Sequence, residues 1–164
     1  MLTTLMAALQ PARLHFGWRV VDTILESGKR NVALLGLSFK NGSDDLRESP
    51  FVTLAEALIG KGLKLRVCDP DVAVGQLVGR NRAYIDERLP HVAELMDTDG
   101  EKLATDAEVV IVAKSVVDPR RLAALLRSDQ LVIDLVGLDS LNTAVRPWSG
   151  AVSLDRLRQP VLGN

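Results

Sequence analysis

Short apolar segments recur along the chain, and the stretches between them repeat apolar positions with the period of a helix. Residues 31–36 form an apolar segment without polar alternation, which is typical of a parallel strand covered on both faces. Residues 63–68, 108–113 and 130–136 form three further segments of strand length. The hydrophobic pattern therefore predicts four strands.

Helices are predicted between these strands. Ser49 and Pro50 provide a hydroxyl N-cap and a proline in the first turn of a helix with one apolar stripe. Shorter helices are predicted over residues 101–105 and 119–127, while residues 72–80 indicate either a short irregular helix or a loop. This alternation predicts an α/β fold: a Rossmann-like, open, doubly wound and mainly parallel sheet, with right-handed crossovers.

A helical arm precedes the first strand. Its apolar residues recur at helical spacing, and Gly28 followed by basic residues supplies a stop signal. These apolar residues are Leu14, Trp18, Val21 and Leu25. Pro11 is expected to interrupt any helix that runs in from the N-terminus. We therefore predict an arm over residues 1–28 and an α/β domain over residues 29–164.

Composition narrows the classes of partner. The chain has 164 residues, is 47% hydrophobic and 25% charged, and carries a net charge of -1. It is therefore expected to fold as a globular domain, and it lacks the basic excess that nucleic-acid binding requires. The single cysteine, the absence of a signal peptide and the shortness of the apolar runs predict a cytoplasmic protein without a membrane partner.

The most informative segment is the polar loop at residues 36–50, which leaves the first strand and enters a helix. Such a loop lies on the ligand side of an open α/β sheet, so Lys40 and Arg47 are expected to face a cleft. Exposed amides near Ser49 would add the anion preference of a helix N-terminus. The loop has no dinucleotide or Walker fingerprint, so spacing alone leaves the ligand unnamed. The alternative is a solvated turn in which both cations pair with Asp44, Asp45 and Glu48.

This segment resembles the C-terminal domain of the UDP-glucose/GDP-mannose dehydrogenase family. The resemblance rests on the sequence from Gly36 to Pro50 and on its flanks, Val32-Ala33-Leu34-Leu35 and Leu54-Ala55-Glu56, and it extends to Gly137. It implies a nucleotide-sugar-binding domain of an enzyme that oxidises the sugar C6 alcohol to a carboxylate in two NAD-dependent steps.

The resemblance also implies roles for individual residues. Phe39 and Lys40 match the family's phenylalanine–lysine pair, whose lysine reaches the nucleotide sugar, so both are candidate substrate-binding residues. Arg47 matches the arginine that reaches the NAD from across the cleft, and is the candidate cofactor-binding residue. The family's glycine-rich NAD motif and catalytic cysteine have no counterpart in this sequence. We therefore expect no catalytic residue in this chain and expect NAD to be bound mostly by a separate N-terminal domain.

The sugar nucleotide and the assembly follow from the same resemblance. UDP-sugar members tend to carry an arginine after the strand that matches residues 131–134, where this chain has Leu135-Val136-Gly137. GDP-mannose is therefore favoured over UDP-glucose. The arm matches the end of the family's central dimerisation helix, which predicts a homodimer or a higher oligomer of the complete enzyme. The pattern does not explain residues 141–164.

Other candidate residues have simpler interpretations. Cys68 ends a strand and is expected to be a small buried residue, and Asp69 is expected to form or cap a turn rather than bind a ribose. His15 and His91 have no ligand-type neighbour at metal-binding spacing, so no metal site is predicted. Trp18 is expected to pack the arm, or else to mark a former interface.

Three functional hypotheses follow. The first is the nucleotide-sugar-binding part of an NAD-dependent sugar-nucleotide 6-dehydrogenase that is not catalytic alone. The second is a stand-alone sugar-nucleotide-binding domain, or a domain of the UDP-glucose 6-dehydrogenase type. The third is a non-catalytic assembly domain, in which Lys40 and Arg47 make only protein contacts.

Overall fold

The computed structural model describes residues 17–40, 42–47, 49–72, 79–90, 92–138 and 151–153. They contain a five-stranded sheet in which every neighbouring pair of strands is parallel. The strands are β1 (Asn31–Leu35), β2 (Lys64–Cys68), β3 (Val109–Val112), β4 (Leu131–Asp134) and β5 (Ala151–Ser153). Their spatial order is β2-β1-β3-β4-β5, which confirms the predicted open parallel α/β sheet.

The strand order determines where a ligand cleft forms. The chain leaves β1 toward β2 on one side, and it later returns to pair β3 with β1 on the other side. The order of the strands therefore reverses between β1 and β3. Doubly wound sheets bind ligands outside the carboxyl ends of the strands at this switch point.

Both faces of the sheet are covered, because successive strand residues enter two separate apolar clusters. Val32 and Leu34 of β1 belong to one cluster, whereas Ala33 and Leu35 belong to the other. The strands β1, β3 and β4 are buried almost throughout, which explains their apolar runs. The sheet is therefore doubly wound, as predicted.

Six described helices pack on these faces. Residues 17–26 form the described part of α1, and the others are α2 (Pro50–Gly60), α3 (Gly79–Arg88), α4 (Val92–Leu95), α5 (Gly100–Asp106) and α6 (Pro119–Leu125). Ser49 caps α2, and Asp99 and Asp118 cap α5 and α6 by accepting backbone N–H groups of the first turn. The predicted first-turn proline is present in α2, and α6 also has a proline in its first turn.

The arm packs partly through the predicted stripe, because Val21 is buried and Leu25 packs against the core as expected. Val20, Val21 and Ile24 are fully buried in the cluster that also holds α2, whereas Trp18 is 49% exposed. The Lys61 ammonium lies 5.5 Å from the centroid of the Trp18 ring. The expectation that Trp18 packs the arm is therefore wrong, because the buried face of α1 is centred on Val20 and Val21. Leu14 and Pro11 lie outside the described residues.

Three elements were not predicted. Helix α3 falls partly within the ambiguous region 72–80 and extends to Arg88, and α4 follows it. Strand β5 lies in the segment that the hydrophobic pattern left unexplained, and it pairs with β4 in parallel. The sheet is therefore one strand wider than the sequence predicted. The boundary between residues 28 and 29 stays a prediction.

Candidate functional site

The candidate site begins where β1 ends, at the switch point of the sheet. Gly36 has a φ of 105° and its N–H donates to the carbonyl of Cys68 at 2.8 Å. A side chain would be strained at this φ and would meet the backbone of Lys114 after β3. The glycine thus lets the loop at residues 36–49 turn away from β1 while staying close to β3.

A buried carboxylate fixes the start of this loop. Asp69, directly after β2, accepts the N–H groups of Leu37 and Ser38 on Oδ2 at 2.8 and 2.9 Å. The Ser38 hydroxyl donates to the same oxygen at 3.0 Å. The Asp71 N–H donates to Asp69 Oδ1 at 3.0 Å, as in a turn-forming aspartate. The prediction that Asp69 forms a turn is confirmed. Its carboxylate is fully buried, and groups of the protein occupy both of its oxygens.

Lys114 follows β3, with Ala113 between them, and its side chain joins this network. Its ammonium donates to Ser38 Oγ at 2.7 Å and to Asp69 Oδ1 at 3.0 Å, and it lies 2.5 Å from Asp71 Oδ2. Its side chain is 6% exposed. Residues that follow β1, β2 and β3 therefore form one charged cluster beneath the loop.

Asp71 also holds the middle of the loop. Its Oδ2 atom accepts the N–H of Gly42 at 2.8 Å. The hydrogen bond from Lys114, and then that from the Gly42 amide, hold the pKa of this carboxyl below its usual value. The carboxylate form of Asp71 therefore stabilises the observed loop.

Helix α3 supports the far end of the loop through Asn81. Its amide oxygen accepts the N–H of Leu46 at 3.1 Å, and its amide nitrogen donates to the Asp44 carbonyl at 2.7 Å. Leu46 itself is fully buried in the apolar cluster that contains α2. The loop is thus attached to the protein at both ends and in the middle.

The exposed tip of the loop carries Phe39 and Lys40. Phe39 is 55% exposed, and its ring centroid lies 6.3 Å from that of Phe51 in α2. Lys40 is exposed as well, and it forms no ion pair with a carboxylate among the described residues. An exposed aromatic ring beside an exposed ammonium provides a stacking surface and a cation for a phosphate group.

Arg47 is held by Asp45. Its Nε and Nη2 atoms donate to the two oxygens of Asp45 at 2.9 and 2.7 Å, and both side chains are nearly half exposed. The hydrogen bond from Arg47, more than the charge of Lys40, lowers the pKa of Asp45. The solvated-turn alternative thus describes Arg47, which pairs with Asp45, but it does not describe Lys40 within the described residues.

The expected amide donors at the start of α2 are not exposed. Ser49 is 1% exposed, and its N–H donates to the Leu46 carbonyl at 3.2 Å. Pro50 has no N–H, and the amide of Phe51 donates to the Ser49 hydroxyl. That hydroxyl donates in turn to the Leu37 carbonyl at 2.6 Å. The prediction of exposed amides near Ser49 is wrong, because the cap and the loop use these donors internally.

The remaining candidate residues add no chemistry to this edge. Cys68 is 3% exposed, and burial, assisted by Asp97, raises the pKa of its thiol, as expected for a structural cysteine. No group of three metal-ligating side chains occurs among the described residues, and His15 and His91 lie outside them. None of the described helices combines the length and the hydrophobicity that a membrane span requires.

Comparison with known proteins identifies the domain. The model of the UDP-glucose/GDP-mannose dehydrogenase family, UDP binding domain, matches residues 33–138. The chain belongs to this family. The matched range begins inside β1 and ends just after β4, so it includes the whole loop at residues 36–49 and the charged cluster beneath it.

Relatives of the chain within the family include proteins named GDP-mannose 6-dehydrogenase and UDP-glucose 6-dehydrogenase. It is 45% identical over 128 residues to GDP-mannose 6-dehydrogenase of Azotobacter vinelandii, covering 77% of this chain and 29% of that protein. It is 52% identical over 46 residues to UDP-glucose 6-dehydrogenase of Pseudomonas aeruginosa, covering 28% of this chain and 10% of that protein. The chain thus spans less than a third of the length of these relatives.

Two solved structures resemble this chain in fold. A ternary complex of GDP-mannose dehydrogenase from Pseudomonas aeruginosa matches with a TM-score of 0.72 and 33% identity, over 92% of this chain and 34% of that chain. A UDP-glucose dehydrogenase from Pyrobaculum islandicum shares the fold, with a TM-score of 0.62 and 23% identity over 88% of this chain and 31% of that chain.

Within this family domain, the residues that shape the loop were not predicted from the sequence. Lys114, Asp71 and Asn81 were not among the candidates, although each is bonded to the loop or to its buried anchor. One signal was available for Lys114, which directly follows an apolar strand at the edge where ligands bind. The roles of Phe39, Lys40 and Arg47 stay predictions.

Proposed function

We propose that this chain is the nucleotide-sugar-binding domain of an NAD-dependent sugar-nucleotide 6-dehydrogenase. The complete enzyme would oxidise the C6 alcohol of the sugar to a carboxylate in two steps, with the chemistry on a separate NAD domain. The observation that carries this proposal is the anchored loop at the β1–β3 switch point. Its tip exposes Phe39 and Lys40 inside a domain of this dehydrogenase family.

In this proposal the loop binds and orients the substrate. Lys40 pairs with the diphosphate, and the exposed ring of Phe39 covers an apolar part of the nucleotide sugar. Both side chains project from a backbone that is fixed by Asp69 and Asp71. A fixed backbone lowers the ordering cost of binding, because less backbone freedom is lost when a ligand binds.

The fit to NAD rests on Arg47. NAD, when bound, supplies the hydride acceptor for both oxidations. The Arg47 guanidinium is nearly half exposed and already makes a two-pronged contact with the Asp45 carboxylate. A phosphate presents the same pair of oxygens, so Arg47 is suited to contact the pyrophosphate of NAD from across the cleft. The rest of the NAD site is assigned to the separate domain.

We further propose GDP-mannose as the sugar nucleotide. The names of the GDP-mannose dehydrogenase relatives support it, and so does the turn after β4. The Asp134 carboxylate accepts the N–H groups of Val136, Gly137 and Leu138, so this turn is tightly folded and exposes an apolar Val136. Residues 135–138 of this turn include no arginine, the residue expected here in UDP-sugar members. The arm, with its exposed Trp18, is proposed as part of a dimer interface of the complete enzyme.

A calorimetric titration of this chain with GDP-mannose, UDP-glucose and NAD tests the proposal. We expect GDP-mannose to bind, UDP-glucose to bind more weakly, and NAD alone to bind least. Preferential binding of UDP-glucose would contradict the choice of sugar nucleotide. A chain that binds neither sugar nucleotide, even when the NAD domain of a relative is added, would contradict the proposal and favour an assembly domain.

A further inference from the structure

Lys114 is the one lysine or arginine among the described residues that is buried. Burying an ammonium costs several kcal/mol unless partners compensate it, so its presence requires a reason. The backbone of Lys114 is fixed, because its N–H donates to the Leu35 carbonyl at 2.9 Å. This bond joins the ends of β1 and β3, and the side chain then extends beneath the loop that leaves β1.

The contacts of Lys114 leave its ammonium fully occupied. It donates to the Ser38 hydroxyl and to the Asp69 carboxylate, and it pairs with Asp71. With a 6% exposed side chain, it is not available for a phosphate of the ligand. Any effect of Lys114 on a ligand must therefore pass through the loop or through the local charge.

Both the loop and the local charge connect Lys114 with the proposed binding residues Phe39 and Lys40. Asp69 holds the amides of Leu37 and Ser38, immediately before Phe39, and Asp71 holds the amide of Gly42. Lys114 connects these two anchors on either side of the exposed tip. It also offsets one of the two carboxylate charges beneath that tip, which would otherwise oppose the binding of a diphosphate.

We propose that Lys114 is a positioning residue of the sugar-nucleotide site. It locks Asp69 and Asp71 together, keeps residues 37–40 and Gly42 in the form that presents Phe39 and Lys40, and reduces the negative charge beneath the diphosphate. The proposal rests on the proposed function, because it assigns Lys114 to that same site without contact to the ligand.

The test compares two variants with a matched control by titration with GDP-mannose and by amide hydrogen exchange. Lys114→Met removes the cation, and Asp71→Ala removes a one-third exposed partner whose loss the fold is expected to tolerate. Asp97→Ala is the control, because Asp97 is a similarly exposed carboxylate that pairs with Arg66 rather than with the loop. Circular dichroism establishes that each variant is folded.

We expect Lys114→Met to bind GDP-mannose at least about tenfold more weakly. Asp71→Ala should weaken binding by a smaller factor, because it frees the loop but also removes a negative charge beneath the diphosphate. Both variants should exchange the Gly42 amide at least about tenfold faster. Asp97→Ala should change neither quantity. If Lys114→Met does not fold, Asp71→Ala decides the outcome alone. Folded variants with unchanged affinity, or with weaker binding but unchanged exchange at Gly42, would overturn the proposal. A wild-type chain that binds neither GDP-mannose nor UDP-glucose, even with the NAD domain of a relative added, would contradict the proposed function, while exchange at Gly42 would still test the lock.

Discussion

A β-carbon on Gly36 would lie 2.4 Å from the Cβ atom of Lys114, so the backbones that leave β1 and β3 approach too closely for any side chain at position 36. This approach occurs at the switch point of the sheet. It lets the Lys114 ammonium reach Ser38, which lies two residues beyond Gly36. Gly36 and Lys114 together therefore fix the backbone conformation at the start of the loop.

Gly36→Ala should therefore be strongly destabilising. The added methyl group must be accommodated at a φ of 105° and against the backbone of Lys114, which together should cost about 3 kcal/mol or more of unfolding free energy. Gly62→Ala is the control, because Gly62 has a φ of 74° but open space around it. It should cost only about 1 kcal/mol. Equal losses in urea unfolding would contradict the close approach.

Cys68 should be unreactive in the folded chain. Burial raises the pKa of its thiol, and the nearby Asp97, Asp69 and Asp99 carboxylates act in the same direction. A thiol reagent such as Ellman's reagent should label it only at the rate at which the chain unfolds, and labelling should accelerate with urea. Rapid labelling in native buffer at neutral pH would show that the end of β2 is open.

Glu108 should make stability depend on acid pH. Its carboxylate accepts the N–H groups of Arg30 and Asn31, and these bonds lower its pKa from the ordinary value of 4.5. A carboxyl with a depressed folded-state pKa stabilises the fold above its unfolded pKa, and this contribution is lost as the pH falls through the folded pKa. Glu108→Gln should thus be less stable than wild type at pH 7.

Urea unfolding of both chains across the acid range checks this effect. The difference between them should stay constant from neutral pH to about pH 5, and it should shrink steadily below the ordinary carboxyl pKa. A difference that is the same at every pH would show that the charge of Glu108 does not contribute.

Arg47→Ala should separate the two ligands of the complete dehydrogenase proposed here. Loss of a two-pronged contact to a phosphate should raise the KM for NAD about tenfold or more, with a much smaller change in the KM for the sugar nucleotide. Steady-state kinetics with each substrate varied in turn measures both values. Equal changes, or no change, would contradict the assignment of Arg47 to the cofactor.

The sequence was sufficient for the elements that carry strong apolar patterns. The apolar runs of β1, β3 and β4 predict buried parallel strands, because each is covered on both faces. Helix α3 was missed because Ile85 is its only buried residue, so it has no apolar stripe. Strand β5 was missed because it has only three residues and belongs to the sheet through its backbone pairing.

The candidate site was predicted only in part, for a similar reason. The exposed cations of the loop are visible in the sequence, because a polar loop between a buried strand and a capped helix is a local pattern. The anchors of the loop are not local. Lys114 is 45 residues from Asp69 and 76 from Ser38, and Asn81 is 35 from Leu46. Only the order of the strands brings these residues together at the carboxyl ends of the strands.

The central claim is that the exposed tip of this loop binds the diphosphate of a sugar nucleotide. Its most direct test is a calorimetric titration of GDP-mannose into the wild-type chain, Lys40→Ala and Lys64→Ala. Lys64 is the first residue of β2, so it lies at the amino ends of the strands, whereas the loop lies at their carboxyl ends. Its variant therefore makes the same charge change far from the site. We predict that Lys40→Ala weakens binding about tenfold or more, while Lys64→Ala binds as wild type does. Equal binding by all three chains, or equal weakening in both variants, would contradict the claim.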